Sequence, residues 1–434
     1  MGNAAADRMN RALVRRADWM REFGFLWRDK TALVALAVLL VLSAIASSMG
    51  VLRVSAQESD IGRMLVADAT DREAVQAPLG DFGDAAYYSF YISYDAPAPL
   101  AFAAMGQRDT APYLKRIRLL ALEGQIYSGE SPNPLLAQIG SLDLSFIAAY
   151  VLPLILIVLL YDLKASEQLA GRLMFLEAMP YAWRGLWMPR IVWRACLVFA
   201  AIALPFVFGA LARGAGAREM LFALAGIAVV TVFWAAVSSL MAMRPWSAAA
   251  IGAALVGLWL ALNVLVPTTV QSVVIPTVDG PDGADIALVQ REAVNDAWDL
   301  PKSATLEPFA ELFPEYTIEQ PLKSFDWRWY FAFQHMGDVA ARDLSEAYRE
   351  AIRQRDKVAG ITAWVSPALA IQRHLQRLGR TDVTAQLAYD AAIRSYHSEL
   401  QAFYLPLMFG EADYDGRLLQ SAPAFQQRFS NHAN

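Results

Sequence analysis

Long uncharged runs alternate with charged stretches along the chain, and these runs set the predicted architecture. A helix needs about 20 mostly apolar residues to cross the hydrocarbon core of a bilayer, which is roughly 30 Å thick. Five runs meet that requirement, so we predict five membrane spans. The uncharged runs cover residues 31–52, 144–161, 195–212, 220–243 and 245–278. The last run exceeds the length of one helix, and we expect its span to end near Pro267 and an exit loop to follow.

The first run has a second interpretation, because Ala44-Ile45-Ala46 resembles a signal-peptidase site after an apolar core. The segment before the run is 30 residues long and carries four acids, and the apolar run continues to Leu52. We therefore favour an uncleaved anchor. The alternative to five spans is a sixth, short or re-entrant segment near 359–372 or 401–410, each with fewer than 17 uncharged residues in a row.

An amphipathic helix is predicted over residues 8–28, within the cytoplasmic segment 1–30. A basic amphipathic helix beside a first span is expected to lie in the headgroup plane. Trp19, Phe23 and Trp27 are its candidate interfacial residues. Two roles stay open, namely simple lipid anchoring and a surface on which a cytoplasmic partner docks.

Two long segments connect or follow the spans. In residues 53–143 we predict a charged helix over 54–76 that continues the first span, and then a small mixed α/β lobe. Its alternating aromatic stretch at 87–94 favours a strand, and residues 99–105 and 116–125 are further strand candidates. In residues 268–434 we predict a helical domain. Its helical patterns lie near 285–299, 304–314, 328–358, 364–379 and 382–407.

Composition and charge support this organisation. The chain is 56% hydrophobic and 18% charged, with net charge −5 and mean hydropathy +0.31, which argues against a soluble cytosolic enzyme and a basic nucleic-acid binder. Residues 1–30 hold seven Lys and Arg, and the loop 162–190 holds four. The positive-inside rule therefore places the N-terminus in the cytoplasm, and five spans then place the C-terminus on the outer side of the membrane. Residues 54–143 and 268–434 carry net charges of −6 and −7.

Sequence signals of catalysis are missing. The chain has no G-x-x-x-x-G-K-[ST] phosphate loop, no H-E-x-x-H and no G-x-S-x-G, and its four histidines lie 23 residues or more apart. The single cysteine, Cys196, excludes an intramolecular disulfide. We therefore expect no enzyme activity, and no catalytic, metal or cofactor residues, in this chain. Asn263 is the most polar side chain within the spans, and an interhelical hydrogen bond would explain it.

The loop at 162–190 is the most informative stretch. After the second span it runs through a short helical segment, an acid and a glycine, and then returns through alternating Trp and Arg residues. Trp at the headgroup level and Arg among the phosphates would hold such a return at the membrane surface. Its residues of interest are Glu167, Gly171, Arg172, Leu173, Glu177, Pro180 and Arg184.

The order of this loop resembles the permeases of ABC-2 type ABC transporters, which show E-x-x-x-G-[TR]-L followed by apolar residues and a proline. Glu167, Gly171, Arg172, Leu173 and Pro180 match that pattern. Gln168 stands where members often carry a second charged residue.

Further stretches resemble a subgroup that contains the domain of unknown function DUF3526. The early stretches are Pro99-Leu100-Ala101, Gly106 to Asp109, Asn133-Pro134, Leu142 to Phe146 and Leu152-Pro153-Leu154. The late stretches are Ser366 to Ala370, Gly379 to Asp382, Tyr396-His397 and Phe403 to Pro406.

The resemblance implies an all-α polytopic permease subunit that pairs with a second copy or a sister permease and with a separate ABC ATPase, which would bind the ATP. The loop would be the coupling helix, with Glu167 and Arg172 making polar docking contacts and Gly171 allowing close approach. Pro180 would end the helix. The expected function is export or outward movement of an unidentified substrate. The alternative is an ATP-driven mechanical or assembly role on an envelope partner, without transport.

Overall fold

The structure, a computed structural model, describes residues 17–127, 142–178, 183–316, 325–410 and 413–426. The first helices are α1 (17–26), α2 (Lys30–Gln76), α3 (Phe82–Tyr88), α4 (Leu122–Tyr127), α5 (Leu144–Leu169), α6 (Leu173–Glu177) and α7 (Gly185–Ala212). The later helices are α8 (Ala217–Ala242), α9 (Ala248–Thr277), α10 (Gly283–Asp299), α11 (Ser303–Leu312), α12 (Trp327–Thr362), α13 (Pro367–Gly379) and α14 (Val383–Phe409). The strands are β1 (Tyr91–Tyr94) and β2 (Leu114–Ile117).

Five of these helices, α2, α5, α7, α8 and α9, are long and apolar enough to cross a membrane. They confirm that the five uncharged runs form long apolar helices, and they indicate a membrane protein. Helix α5 lies at the centre, because it packs against the other four. Its Leu152, Leu156 and Leu160 are fully buried, as expected for a helix that is surrounded by other helices rather than by lipid.

Helix α2 continues well beyond the bundle. It has 47 residues, which makes it about 70 Å long, and its second half reaches into the folded domain. Asp29 begins it by accepting a hydrogen bond from the backbone N–H of Ala32 at 3.1 Å. The predicted charged extension of the first span is therefore confirmed. We call the end of the bundle near Asp29 the loop end, and the opposite end the domain end.

Helix α9 differs from expectation. We predicted an exit loop after Pro267, but the helix continues to Thr277. It does so through π-helical turns at Ala261–Leu265 and Val270–Val274. Pro267 stands in the first turn of the helical piece between these turns, where its missing N–H removes little hydrogen bonding.

The segments before and after the central spans share one hydrophobic core. That core contains Phe82, Tyr91 and Ile117 from the first segment, with Phe331 and Tyr404 from the second. The two strands pair antiparallel. The strand predicted at 87–94 is therefore shorter than expected, because α3 occupies the residues before it, held by the Asp81 carboxylate on two backbone N–H groups.

The strand expected at 99–105 is wrong, because this stretch forms a 3₁₀ turn that enters the bundle at its domain end. Leu100 to Met105 are each at most 2% exposed. Phe102 lies between α2 and α7, with its ring centroid 5.9 Å from that of Phe206. Gly50 and Gly209 leave the space for this close approach, since an added Cβ would lie 2.1 and 2.5 Å from atoms of Phe102.

Helix α13 also packs into the bundle rather than onto the rest of the domain. Ala368, Ile371 and Leu375 are buried in the same core as the apolar helices. The proposed re-entrant region at 359–372 therefore does reach the bundle, through the first turns of α13. The other candidate, 401–410, is wrong, because Tyr404 and Leu405 belong to the cores of the domain.

Three titratable groups of the domain, His335, Asp338 and His397, have shifted pKa values. His397 donates from Nε2 to the carbonyl of Leu120 at 2.9 Å, and burial lowers its pKa to about 4. Burial also lowers the pKa of His335 to about 4, and the charge of Arg342 adds to this effect. Burial raises the pKa of Asp338 to about 7, although its carboxylate accepts two backbone N–H groups of α4. These groups make the stability of the domain depend on pH.

Acidification is expected to destabilise the domain through the two histidines. Their ordinary pKa is 6.5, so below that pH the unfolded chain binds protons that the folded chain does not. We expect a loss on the order of 2 kcal/mol per histidine between neutral pH and about pH 5. Asp338 opposes this trend, because its raised pKa makes its contribution present at acidic pH and lost as pH rises through about 7.

Thermal unfolding of the purified protein in detergent at several pH values tests this prediction. We expect His397→Gln to make thermal stability depend less on pH, because glutamine can still donate to the carbonyl of Leu120 without titrating. We expect Asp338→Asn to make thermal stability depend more strongly on pH, because this substitution removes the stabilising effect of Asp338 at acidic pH. Equal slopes for the wild type and His397→Gln would contradict the assigned role of this histidine.

Candidate functional site

A short protrusion hangs from the loop end of the bundle. It consists of the last turn of α5, Ala165–Leu169, and of α6. Gly171 joins them with a φ of +69°, a conformation that glycine adopts without strain. An added Cβ at this position would meet nothing within 4 Å. The sequence order of acid, glycine and apolar residues therefore folds into a tight helical hairpin that points away from the bundle.

The tip of this protrusion is apolar and open to solvent. Leu169, Met174 and Phe175 are 85%, 81% and 74% exposed, and we call these three residues the tip. A cluster of exposed apolar side chains marks an interaction surface more often than an isolated exposed apolar side chain does. The tip was not predicted from the sequence, because its apolar residues fit a helical pattern and nothing in that pattern indicated that they are exposed. Their position just outside a span, on either side of a glycine, is the signal that could have found them.

Behind the tip, four side chains form a continuous ladder of charge. Arg172 donates to Glu167 at 2.8 Å, Arg190 donates to the other oxygen of Glu167 at 3.1 Å, and Arg190 also donates to Glu22 at 2.9 Å. Glu22 is buried and Arg172 is exposed. Charge-assisted hydrogen bonds of this kind hold their partners in a fixed geometry. The ladder therefore joins the protrusion to α7 and to the N-terminal helix α1.

Aromatic contacts fix α1 in the same place. Trp193 of α7 donates from Nε1 to the carbonyl of Trp19 at 3.0 Å, and its ring lies 4.8 Å from that of Phe23. Phe23 stacks in turn on Trp27, which is exposed. Trp19 and Phe23 therefore pack against α7, whereas Trp27 faces outward. Sequence reasoning identified the aromatic residues but missed Trp193 as the partner of Trp19 and Phe23, and it missed the bond between Glu22 and Arg190.

The remaining predicted loop residues do not take part in the charge ladder. Glu177 pairs with Lys164 at 2.7 Å across the two short helices, and Leu173 is packed against the bundle core. Pro180 lies outside the described residues, and the side chain of Arg184 does as well. The structure thus brings Glu167 and Arg172 into direct contact and places Gly171 at the turn between the two short helices.

The chemistry of this site is that of recognition. Within the described ranges, no group of three His, Cys, Asp or Glu side chains is placed to hold a metal ion. An exposed apolar tip, backed by a rigid charged base, can dock into a groove of another protein and transmit force from it.

One part of the chain matches a known family model. Residues 285–428 match the family model described as Domain of unknown function (DUF3526). This match includes the late stretches, from Ser366 to Pro406, on which the resemblance to that family was based, and it does not include the early ones. It covers α10 to α14. No curated protein and no solved structure matches the chain.

Proposed function

We propose that this chain is the membrane-spanning permease subunit of an ABC-2 type ABC transporter. The observation that carries the proposal is the protrusion at the loop end, in which an exposed apolar tip stands on a fixed charge ladder. Its sequence order, from Glu167 through Gly171 to Leu173, is the one that resembles the coupling loop of these permeases. A separate ATPase subunit would receive the tip in a groove and would supply the bound ATP, since this chain carries no nucleotide-binding motif.

The proposed orientation places the loop end in the cytoplasm and the domain outside a bacterial inner membrane. The charge distribution supports it, because Lys and Arg are concentrated in residues 1–30 and 162–190, whereas the segments that form the domain are acidic. A second copy of the chain or a sister permease would complete the translocation unit. The cargo would move outward.

A route for force runs from the tip into the bundle. The ladder joins the protrusion to Arg190 on α7 and to Glu22 on α1, and α1 leads directly into α2. The protrusion itself continues from α5, the central helix. Movement of the tip would therefore act on three of the five apolar helices at once, and would tilt them relative to α8 and α9.

The tip is the part to test. We expect Met174→Asp with Phe175→Asp to weaken binding of the proposed partner ABC ATPase by about tenfold or more, because charged groups would replace the apolar contacts. The measurements are co-purification and ATP hydrolysis by the assembled complex in lipid nanodiscs. The control is Leu418→Asp, an exposed apolar residue of the domain, which should leave both unchanged. Undiminished binding by the tip variant would refute the coupling role.

One observation favours the second candidate, a mechanical or assembly role. Helix α2 runs without interruption from the loop end into the domain, so it can carry motion across the membrane as a rigid lever. In that case ATP hydrolysis would move the domain against an envelope partner, with no cargo crossing the bilayer. Recording domain movement and cargo movement in the same vesicles separates the two functions.

A further inference from the structure

The turn between α12 and α13 exposes an unusual apolar group. Ile361, Trp364 and Val365 are 71%, 92% and 54% exposed, and we call them the elbow. A nearly fully exposed tryptophan next to two exposed aliphatic residues is costly in water, because the ordering of water around apolar surface disfavours it. The elbow lies in the part of the chain that matches the DUF3526 model.

Two hydrogen bonds fix the level of the elbow along α9. Before it, Arg355 donates to the carbonyl of Val278 at 3.1 Å. After it, the backbone N–H of Ala368 donates to Oδ1 of Asn263 at 3.2 Å. The elbow is therefore attached to α9 on both of its sides, over the interval from Asn263 to Val278. The partner expected for Asn263 is thus found on α13.

That interval contains the boundary of the bilayer. About 20 residues of helix cross the apolar core, and counted from the start of α9 at Ala248 they end near Pro267. Leu265 and Val273 of α9, which lie at levels within the same interval, are exposed apolar residues as well. Tryptophan is enriched at this boundary, where its ring meets both headgroups and acyl chains.

The elbow cannot swing away from this level. Helix α13 follows it directly and is buried in the bundle core through Ala368, Ile371 and Leu375. His374 adds a hydrogen bond from Nε2 to the carbonyl of Phe222 on α8 at 2.9 Å. The elbow is thus held at one depth by contacts on both of its sides.

Basic residues stand one and two turns before the elbow on the same face of α12. Lys357 lies four residues before Ile361, and Arg353 lies four residues before Lys357, so the three share one helix face. Both basic residues are exposed, and Arg353 also forms a surface ion pair with Glu350 at 3.4 Å. Apolar groups at the boundary with cations just above them match the layered chemistry of a phospholipid surface.

We propose that the elbow is a lipid-binding anchor, which inserts into the leaflet at the domain end while Lys357 and Arg353 meet phospholipid headgroups. The anchor ties the DUF3526 part of the chain to the membrane surface beside the bundle. It is independent of the proposed transport function, because it requires only that the five apolar helices cross a bilayer.

Spin-label accessibility in proteoliposomes of zwitterionic and anionic phospholipids tests the anchor. The label is placed by Trp364→Cys in a Cys196→Ser background of the full chain. We expect the ratio of its collisions with oxygen to those with a water-soluble nickel chelate to be at least about threefold higher than at a water-exposed control site, because oxygen concentrates in hydrocarbon. Val365→Cys gives a second label position, should Trp364→Cys fail to fold.

The control site is Leu312→Cys, which is an exposed apolar residue of the same domain. On its helix, Phe309 packs against His335, which precedes Ile361 by 26 residues on α12 and so lies roughly 40 Å from the elbow. A ratio at position 364 equal to that at 312 would overturn the proposal. Disulfide cross-linking of two copies through position 364 would overturn it too, because a second copy would then cover the elbow.

Discussion

Gly50→Ala is expected to destabilise the protein by about 3 kcal/mol, because the new Cβ would overlap a backbone atom. That Cβ would lie 2.1 Å from the carbonyl oxygen of Phe102. Backbone cannot rotate aside as a flexible side chain can, so the 3₁₀ turn at Ala101–Ala103 would have to leave its place between α2 and α7. Thermal unfolding of purified protein in detergent, followed by size-exclusion chromatography of the soluble fraction, measures the loss.

Gly62→Ala is the matched control, since Gly62 lies on the same helix with nothing within 4 Å of an added Cβ. Here the substitution is expected to stabilise the protein by about 0.5–1 kcal/mol, because alanine favours helix more than glycine does. Opposite signs for the two variants would show that the contact with Phe102, rather than the helix propensity, decides the result at Gly50. A stabilising effect at Gly50 would contradict the inserted position of residues 100–105.

Arg394→Ala is expected to cost about 4 kcal/mol, because it leaves a buried carboxylate without its partner. Arg394 donates to both oxygens of Glu123, at 2.7 and 2.8 Å, and Ser345 donates to the second oxygen at 2.8 Å. Burial raises the pKa of Glu123, but the bonds from Arg394 outweigh this effect and hold the pKa below its ordinary value. The carboxylate therefore stays charged, and its charge needs the arginine.

Arg417→Ala is the control for this prediction. Arg417 pairs with Asp415 at 3.0 Å, but its side chain is 87% exposed, so water screens the pair and its loss should destabilise the protein far less than the loss of Arg394. Adding Glu123→Gln to Arg394→Ala should recover part of the stability, because it removes the unpaired charge. Chemical or thermal unfolding of the four proteins gives the comparison, and equal losses for both arginine variants would contradict the buried role of the Arg394 pair.

The apolar helices and the loop at 162–190 were predicted with different success. Uncharged runs identify helices that cross a membrane, because each needs a minimum apolar length whatever its neighbours are. The loop order around Gly171 predicted a short helix, a glycine and a return to the membrane, whereas the second short helix α6 was found only in the structure. Exposure was not predictable there, and the sequence pattern did not distinguish Phe175, which is open to solvent, from Leu173, which packs against the bundle core.

The sequence by itself determined the five apolar helices, the continuation of α2 and the helical character of the stretches that form α10 to α14. These features depend on local apolar length and on residue spacing, both of which are written along the chain. Only the tertiary structure decided that Glu22 and Arg190 complete the charge ladder, that residues 100–105 and α13 enter the bundle, and that the elbow is attached to α9 on both of its sides. Each of these rests on contacts between residues distant in sequence, where shape and a single hydrogen-bond partner decide the outcome.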